Sequence, residues 1–195
     1  MITNLSNFIR RSSSPNSLLV SFLLLALFSG VLMPGATARV AAVSGGGTIL
    51  DLQTRYTVEQ AYEQIAQYGV LGRQVYAQSS MTVDGLYPLV FTAFLMILLT
   101  CIFRSAFAPG SWLQKLHLVP LGAMIFDYLE NTGLVILLTS YPEQLEGLAR
   151  LTANFTTIKW LFIALSLTLI VVGLLGILLR KLRRSKPAEV PPALA

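Results

Sequence analysis

Four long apolar blocks constrain the fold of this chain more than any other feature. Short polar stretches separate them, and each is long enough, or nearly so, for a membrane-crossing helix, which needs roughly 18 or more apolar residues. Charged residues make up only 12% of the chain, against about 25% in soluble domains. The pattern predicts an all-α integral membrane bundle of three to four transmembrane helices. The blocks are Leu18–Met33, Leu86–Phe103, Leu118–Thr139 and Trp160–Leu179.

The basic residues are unevenly distributed between the two sides of these blocks. Nine of the fourteen Lys and Arg residues fall on one side and four on the other, while Lys159 directly precedes the last block. The positive-inside rule then places both termini in the cytoplasm if all four blocks span. We interpret the basic C-terminus as a topology anchor in contact with the lipid bilayer and expect no nucleic-acid partner. The nine are Arg10, Arg11, Arg104, Lys115, Arg180, Lys181, Arg183, Arg184 and Lys186; the four are Arg39, Arg55, Arg73 and Arg150.

The first block has two interpretations. Arg10 and Arg11, a short apolar run and the small residues Ala36-Thr37-Ala38 form the pattern of a cleavable signal peptide. The alternative is an uncleaved signal anchor that extends through Met33. Residues 1–38 are therefore a signal peptide or signal anchor, and the chain has three spans after cleavage or four without it.

The segment 39–85 is predicted to lie outside the membrane. Ala41–Gly47 is small and Gly-rich, as in a flexible linker. Thr57 and Gln60 have the spacing of a capping box at the start of an amphipathic helix that ends near Gly69. A second short helix is expected at about Leu71–Gln78. Tyrosines are frequent in this segment, so we expect the two helices to form an amphipathic cap on the outer face. Residues 86–179 then form a three-helix core and residues 180–195 a basic cytoplasmic tail.

The third block contains polar residues that do not belong in lipid. Asp127, Glu130 and Asn131 have i, i+3, i+4 spacing, which places them on one face of a helix. Counted from the ends of the block, they lie near the middle of the membrane. Each charge there costs about 2.5–3.5 kcal/mol, so this face should point into the protein.

Lys159 is the natural counter-charge for these acids, because it lies close to the outer end of the last block. We predict a polar cluster of Asp127, Glu130, Asn131 and Lys159 in the outer half of the bundle. Its remaining members, which cap it from the outer side, are Arg73, Tyr76 and Asp84.

Several chemistries lack the necessary residues. His117 is the only histidine and Cys101 the only cysteine, so a metal site, a paired-thiol redox centre and a Ser–His or Cys–His nucleophile are not expected. No cofactor is predicted. Acid–base chemistry by Asp127 or Glu130 remains as the candidate catalytic function.

Several short motifs lie between Asp51 and Lys159, and the most specific is Phe126-Asp127-Tyr128-Leu129-Glu130-Asn131. Because of these motifs, the stretch resembles a small family of bacterial integral membrane proteins for which no activity is established. The resemblance covers a little over half of the chain and implies a multi-pass protein of the bacterial inner membrane. The other motifs are Tyr56-Thr57-x-Glu59-Gln60-Ala61-Tyr62, Gly72-Arg73-x-x-Tyr76, Asp84-x-x-Tyr87-Pro88, Tyr141-Pro142 and Lys159-Trp160.

Three functions are compatible with these features. The first is a binding or assembly protein, whose buried charges set helix packing and whose outer cap recognises a lipid or a membrane-protein partner. The second is a membrane enzyme acting on a lipid-like substrate. The third is a small proton-coupled transporter that works as an oligomer, although the sequence does not determine the oligomeric state.

Overall fold

Helices form all the regular structure in residues 2–46 and 49–184, the part of the chain that the computed structural model describes. Four stretches are long and apolar enough to cross a membrane: Pro15–Ser44, Gly69–Ala106, Trp112–Ser140 and Glu146–Leu182. The predicted all-α membrane bundle is confirmed. The α-helices are α1 (Ile2–Ser12), α2 (Pro15–Leu27), α3 (Met33–Ser44), α4 (Val58–Gln67), α5 (Gly69–Met81), α6 (Val83–Ala106), α7 (Pro120–Ser140) and α8 (Glu146–Arg184).

The remaining elements are short. A π-helical turn, Phe28–Leu32, joins α2 and α3 into one continuous helix, and 3-10 helices cover Leu50–Leu52 and Trp112–Leu118. Gly47, at the end of the predicted linker, and most of the predicted cytoplasmic tail lie outside the described residues.

The continuous α2–α3 helix runs antiparallel to α6 and then to α5. The rings of Phe22 and Phe94 lie 6.0 Å apart, and the Ser29 and Tyr87 hydroxyls are 3.3 Å apart. The Ala36-Thr37-Ala38 segment is helical, and Ala36 is buried. Cleavage of a signal peptide at this segment stays a prediction.

Basic residues meet at one end of the bundle. Arg104 donates hydrogen bonds to the backbone carbonyls of Ser13, at 2.9 Å, and of Arg10. Arg180 donates to the carbonyl of Ser105 at 2.9 Å. We call this end the inner end and the opposite end, which carries α4, the outer end, following the charge distribution of the sequence.

The outer end has a hydrophobic core of its own. It is built from α4, α5, the last half of α7, the first turns of α8, the end of α3 and the segment that joins α3 to α4. The predicted capping box starts α4: the Gln60 side chain accepts from Thr57 N at 2.9 Å, and Gln60 N donates to Thr57 Oγ1 at 3.2 Å. The fully buried members of this core include Leu50, Ala61, Ile65, Leu134, Leu137 and Ala149.

Two elements differ from the predictions. α5 is longer than the expected Leu71–Gln78, packs against α3 and α7, and forms one long helical stretch with α6, Gly69–Ala106. α8 starts well before the predicted block Trp160–Leu179, because the stretch from Glu146 to Arg184 contains no proline and forms one continuous helix.

α7 and α8 approach closely at small residues. A Cβ atom on Gly133 would lie 2.1 Å from Thr152 Oγ1, and one on Gly122 would lie 2.4 Å from the Phe162 ring. The glycines therefore let the two backbones pack at a distance that a larger side chain would prevent. This contact brings the polar face of α7 against α8.

Candidate functional site

Lys159 of α8 lies between two acids of α7. Its Nζ atom is 3.1 Å from Asp127 Oδ1 and 2.5 Å from Glu130 Oε2. The Lys159 and Asp127 side chains are 8% and 13% exposed, and that of Glu130 is completely buried. The structure thus brings together the three charged residues that the sequence placed in one cluster.

Two further groups hold this ion-pair cluster in place. Thr156, one helical turn before Lys159, donates a hydrogen bond of 2.6 Å to the second carboxylate oxygen of Glu130. Lys159 Nζ also donates to the backbone carbonyl of Asp51 at 3.2 Å. Glu130 is therefore bound on both oxygens and has little freedom to move.

Asp51 belongs to the site but was absent from the sequence prediction. It lies in the 3-10 helix Leu50–Leu52 and is buried. The Tyr76 hydroxyl donates to Asp51 Oδ1 at 2.9 Å and accepts from Asp51 N at 3.3 Å. Tyr76 joins the cluster as predicted. It does so by binding Asp51, whose neighbours in the sequence show no helical periodicity.

Asp84 and Asn131 form the less satisfied side of the cluster. Asp84 is 7% exposed and Asn131 is 6% exposed, and the two side chains are neighbours. Among the described residues, however, Asp84 Oδ2 and both polar side-chain atoms of Asn131 have no hydrogen-bond partner of normal geometry. Buried polar atoms without partners are unusual in native proteins and mark places where a further group can bind.

Arg73 is not part of the cluster, contrary to the prediction. Its guanidinium donates to the Ile65 carbonyl at 3.2 Å and lies 4.3 Å from the centre of the Tyr141 ring. Residue 73 precedes Tyr76 by one helical turn, so it lies closer to the outer end of α5. Arg73 links α5 to the end of α7 instead of balancing the buried acids.

The Tyr56 hydroxyl borders the cluster from the outer segment. Thr156 Oγ1 lies 3.4 Å from it. Burial raises the pKa of Tyr56 well above its usual value, although the hydrogen bond with Thr156 opposes the shift. Tyr56 therefore stays neutral and adds no charge beside Glu130.

A cavity of about 350 Å³ extends from the cluster into the bundle. Asp51, Asp84, Asp127 and Lys159 line its outer end, whereas Glu130 does not line it. Most of the remaining wall is apolar, and Thr92 is a polar exception. Its residues include Met33, Phe91, Met124, Ile163 and Leu167.

The contacts of Lys159 also place the site along the membrane axis. The apolar block Trp160–Leu179 follows it directly and is about 30 Å long as a helix, with Arg180 at its inner end. If this block fills the hydrocarbon layer, Lys159 lies at the outer boundary, and so do the acids bound to it. The mid-membrane position expected from α7 alone stays a prediction, and the outer half of α7 packs in the outer core.

No metal-binding group of three or more His, Cys, Asp and Glu side chains is found in the part of the chain that the structure describes. His117 is fully buried in the 3-10 helix Trp112–Leu118, where its Nδ1 atom contacts the Gln114 carbonyl. Cys101 is a free, half-buried thiol in α6. Both lie in the inner half, away from the ion-pair cluster.

Together these features define a multi-pass helical membrane protein with an acid-rich polar cluster at one end of an apolar cavity. Comparisons with protein-family models, with curated proteins and with solved structures find no match to this chain. The resemblance to a bacterial membrane-protein family therefore stays a prediction.

Proposed function

We propose that this protein binds an amphiphilic, lipid-like molecule inside the membrane. The observation that carries the proposal is the cavity, because its polar groups lie at one end and its apolar wall extends from the other. Its volume of about 350 Å³ falls in the range of small-molecule sites. A molecule with a polar head and an apolar chain matches this division.

The depth of the cavity supports the same ligand class. Its polar end is level with Lys159, at the outer boundary proposed above, and Leu167 lines it about 12 Å further along α8. A lipid of the outer leaflet has the same orientation, with its head at the boundary and its chain directed inward. We propose further that the protein resides in a bacterial inner membrane with its C-terminus in the cytoplasm.

The test is retention of an amphiphile by the purified protein. Wild type, Ala123→Leu and Ala164→Leu are reconstituted into nanodiscs of mixed membrane lipids and examined by native mass spectrometry. Ala123 is buried and lines the cavity, so leucine there fills it. Ala164 lies on α8 but is exposed, which makes the same substitution a matched control.

We expect a retained lipid-sized mass on wild type and on Ala164→Leu, and at least a severalfold smaller fraction on Ala123→Leu. Equal retention by all three proteins would contradict binding in the cavity. Thermal unfolding of Ala123→Leu in detergent shows whether a loss of ligand comes from a loss of fold.

An enzyme acting on such a molecule is the second candidate. Asp127 lines the cavity, whereas Glu130 is turned away and bound on both oxygens. This arrangement favours Asp127 over Glu130 as an acid–base group. Asp127→Asn should then keep the retained mass and abolish any conversion of it, and conversion unaffected by Asp127→Asn would rule out this role.

A further inference from the structure

We infer that the head of the molecule held in this cavity is an ammonium group, and that a carboxylate or phosphate head is rejected. This inference rests on the proposed function, because it names the chemistry of the ligand in the same cavity. It follows from the hydrogen-bond donors and acceptors at the polar end of the cavity, some of which already have partners.

The only ammonium lining the cavity has no donor left for a ligand. A lysine side chain has three N–H donors. Those of Lys159 face Asp127 Oδ1, Glu130 Oε2 and the Asp51 carbonyl. An anionic head would have to displace one of these bonds, and it would then compete with a buried carboxylate for the same charge.

The positions that remain at the polar end are acceptors. Asp84 Oδ2 is buried, makes no hydrogen bond of normal geometry to the neighbouring Asn131 amide, and belongs to a side chain that lines the cavity. Asp51 and Asp127 line it as well, and their contacts described above use Oδ1 in both cases. An ionised carboxylate only accepts hydrogen bonds, so a ligand that satisfies these groups in their charged form must donate.

The charge of the cluster favours a cation among the possible donors. Four carboxyl groups, of Asp51, Asp84, Asp127 and Glu130, surround the single ammonium of Lys159. A second ammonium would balance this excess of acids, whereas an anion would add to it. A neutral hydroxyl would satisfy the hydrogen bonds but leave the excess in place.

Aromatic side chains complete a surface suited to a cation. Tyr87, Phe91 and Trp160 line the cavity, and the first two rings are stacked with centres 5.8 Å apart. The faces of aromatic rings attract ammonium groups, most strongly where water is excluded. The same rings give an anion no favourable contact.

The experiment compares three probes with the same chain and different heads: 6,7-dibromo-undecylamine, 6,7-dibromo-undecanol and 6,7-dibromo-undecanoate, whose bromines lie in the middle of the chain and not at its far end. Bromine quenches tryptophan fluorescence at short range, and Trp160 lines the cavity. Trp112 is exposed in the 3-10 helix near the inner end, so Trp112→Phe leaves Trp160 as the only tryptophan. This variant is titrated in phosphatidylcholine nanodiscs.

We expect the amine to quench saturably at a concentration about tenfold lower than the alcohol. The carboxylate should need a still higher concentration than the alcohol. Equal or stronger quenching by the alcohol or the carboxylate would overturn the head-group inference and leave binding in the cavity intact. No saturable quenching by any probe would instead overturn the proposed function.

Asp84→Asn tests the acceptor directly, because an amide keeps the shape and removes the charge. We expect the preference for the amine over the alcohol to fall at least severalfold. Glu59→Gln is the control, since Glu59 is fully exposed on α4 and removes the same charge from the outer surface. Loss of preference in Glu59→Gln would mean that surface charge alone attracts the amine. The ranking of the probes on the Trp112→Phe protein decides the question even if Asp84→Asn does not fold.

Discussion

Lys159 is the residue on which the polar cluster depends. It is buried within α8 and neutralises charge from two acids of α7 while binding the backbone of the outer segment. A buried charge left without its partner is far more costly than the intact pair is favourable. The stability of the bundle should therefore respond differently to the loss of each partner.

We expect Lys159→Met to lower stability most, by about 3–5 kcal/mol, because it leaves two buried acids without a cation. Glu130→Gln should cost about 1–3 kcal/mol. Asp127→Asn should cost less, since Asp127 is the more exposed acid and Glu130 still binds Lys159. The measurement is thermal unfolding of the purified proteins in mild detergent.

Lys115→Met and Glu143→Gln remove the same charges from exposed positions and should leave the melting temperature unchanged. Unchanged or raised melting temperatures in the three cluster variants would contradict the prediction. They would mean that the charges are kept at a cost to stability, as functional groups often are.

Gly133 permits the close contact of α7 and α8. We expect Gly133→Ala to destabilise the protein by about 1–3 kcal/mol, because its Cβ would overlap the Thr152 side chain. Gly147→Ala is the matched control: a Cβ there meets nothing within 4 Å, and alanine favours the helix. Thermal unfolding should show opposite signs for the two substitutions, and equal effects would contradict the packing argument.

At the scale of single residues, the sequence predicted the part of the site that repeats along a helix. The spacing of Asp127, Glu130 and Asn131 placed them on one face, and Lys159 was the obvious counter-charge. Asp51 could not be predicted this way, since it contacts Lys159 across 108 positions of the chain. The environment of Asp51 depends on how the outer segment packs against α8, and no periodic pattern in the sequence predicts that packing.

At the scale of the elements, α7 shows where hydropathy misleads. Its outer half contains the apolar run Leu134-Val135-Ile136-Leu137-Leu138, in which the three leucines are buried in protein. They contribute to the same hydrophobic core as Tyr62 and Ile65 of α4. Burial in protein and burial in lipid select the same residues, so the sequence predicted the helix but not which of its leucines are covered by protein.

The start of α4 is stabilised by its capping box. We expect Thr57→Ala to cost about 1 kcal/mol of local stability, because Gln60 N loses its acceptor. Amide hydrogen exchange of α4 should become faster, while exchange in α8 should be unchanged. Faster exchange throughout the chain would indicate global destabilisation and contradict a local cap.

The same substitution should change a titration. A hydrogen bond from Thr57 is the main reason that the pKa of the Glu59 carboxyl lies below its usual value. Thr57→Ala should therefore raise this pKa toward the ordinary glutamate value, whereas Thr57→Ser should keep it low. Carbon-detected NMR titration of Glu59 measures the shift, and an unchanged pKa in Thr57→Ala would refute this explanation.

At the scale of the whole molecule, the basic inner end predicts the orientation. We expect a cysteine at Glu63, exposed on α4, to react with a membrane-impermeant maleimide in intact cells. A cysteine at Ala108, exposed in the turn after α6, should react only after lysis. Cys101→Ser provides the background for both. Reaction of Ala108→Cys in intact cells would reverse the proposed topology.

The 3-10 turn Leu50–Leu52 lies over the outer end of the cavity, held there by the bonds of Tyr76 and Lys159 to Asp51. Trp160 adds a third tether through its bond to the Gln53 carbonyl at 2.9 Å. An occupant would have to break these tethers to leave toward water, while the apolar helices beside it adjoin lipid. If the proposed amphiphile is the occupant, its exchange would follow its supply in the surrounding leaflet and not its concentration in water, so the protein would act as an intramembrane reservoir.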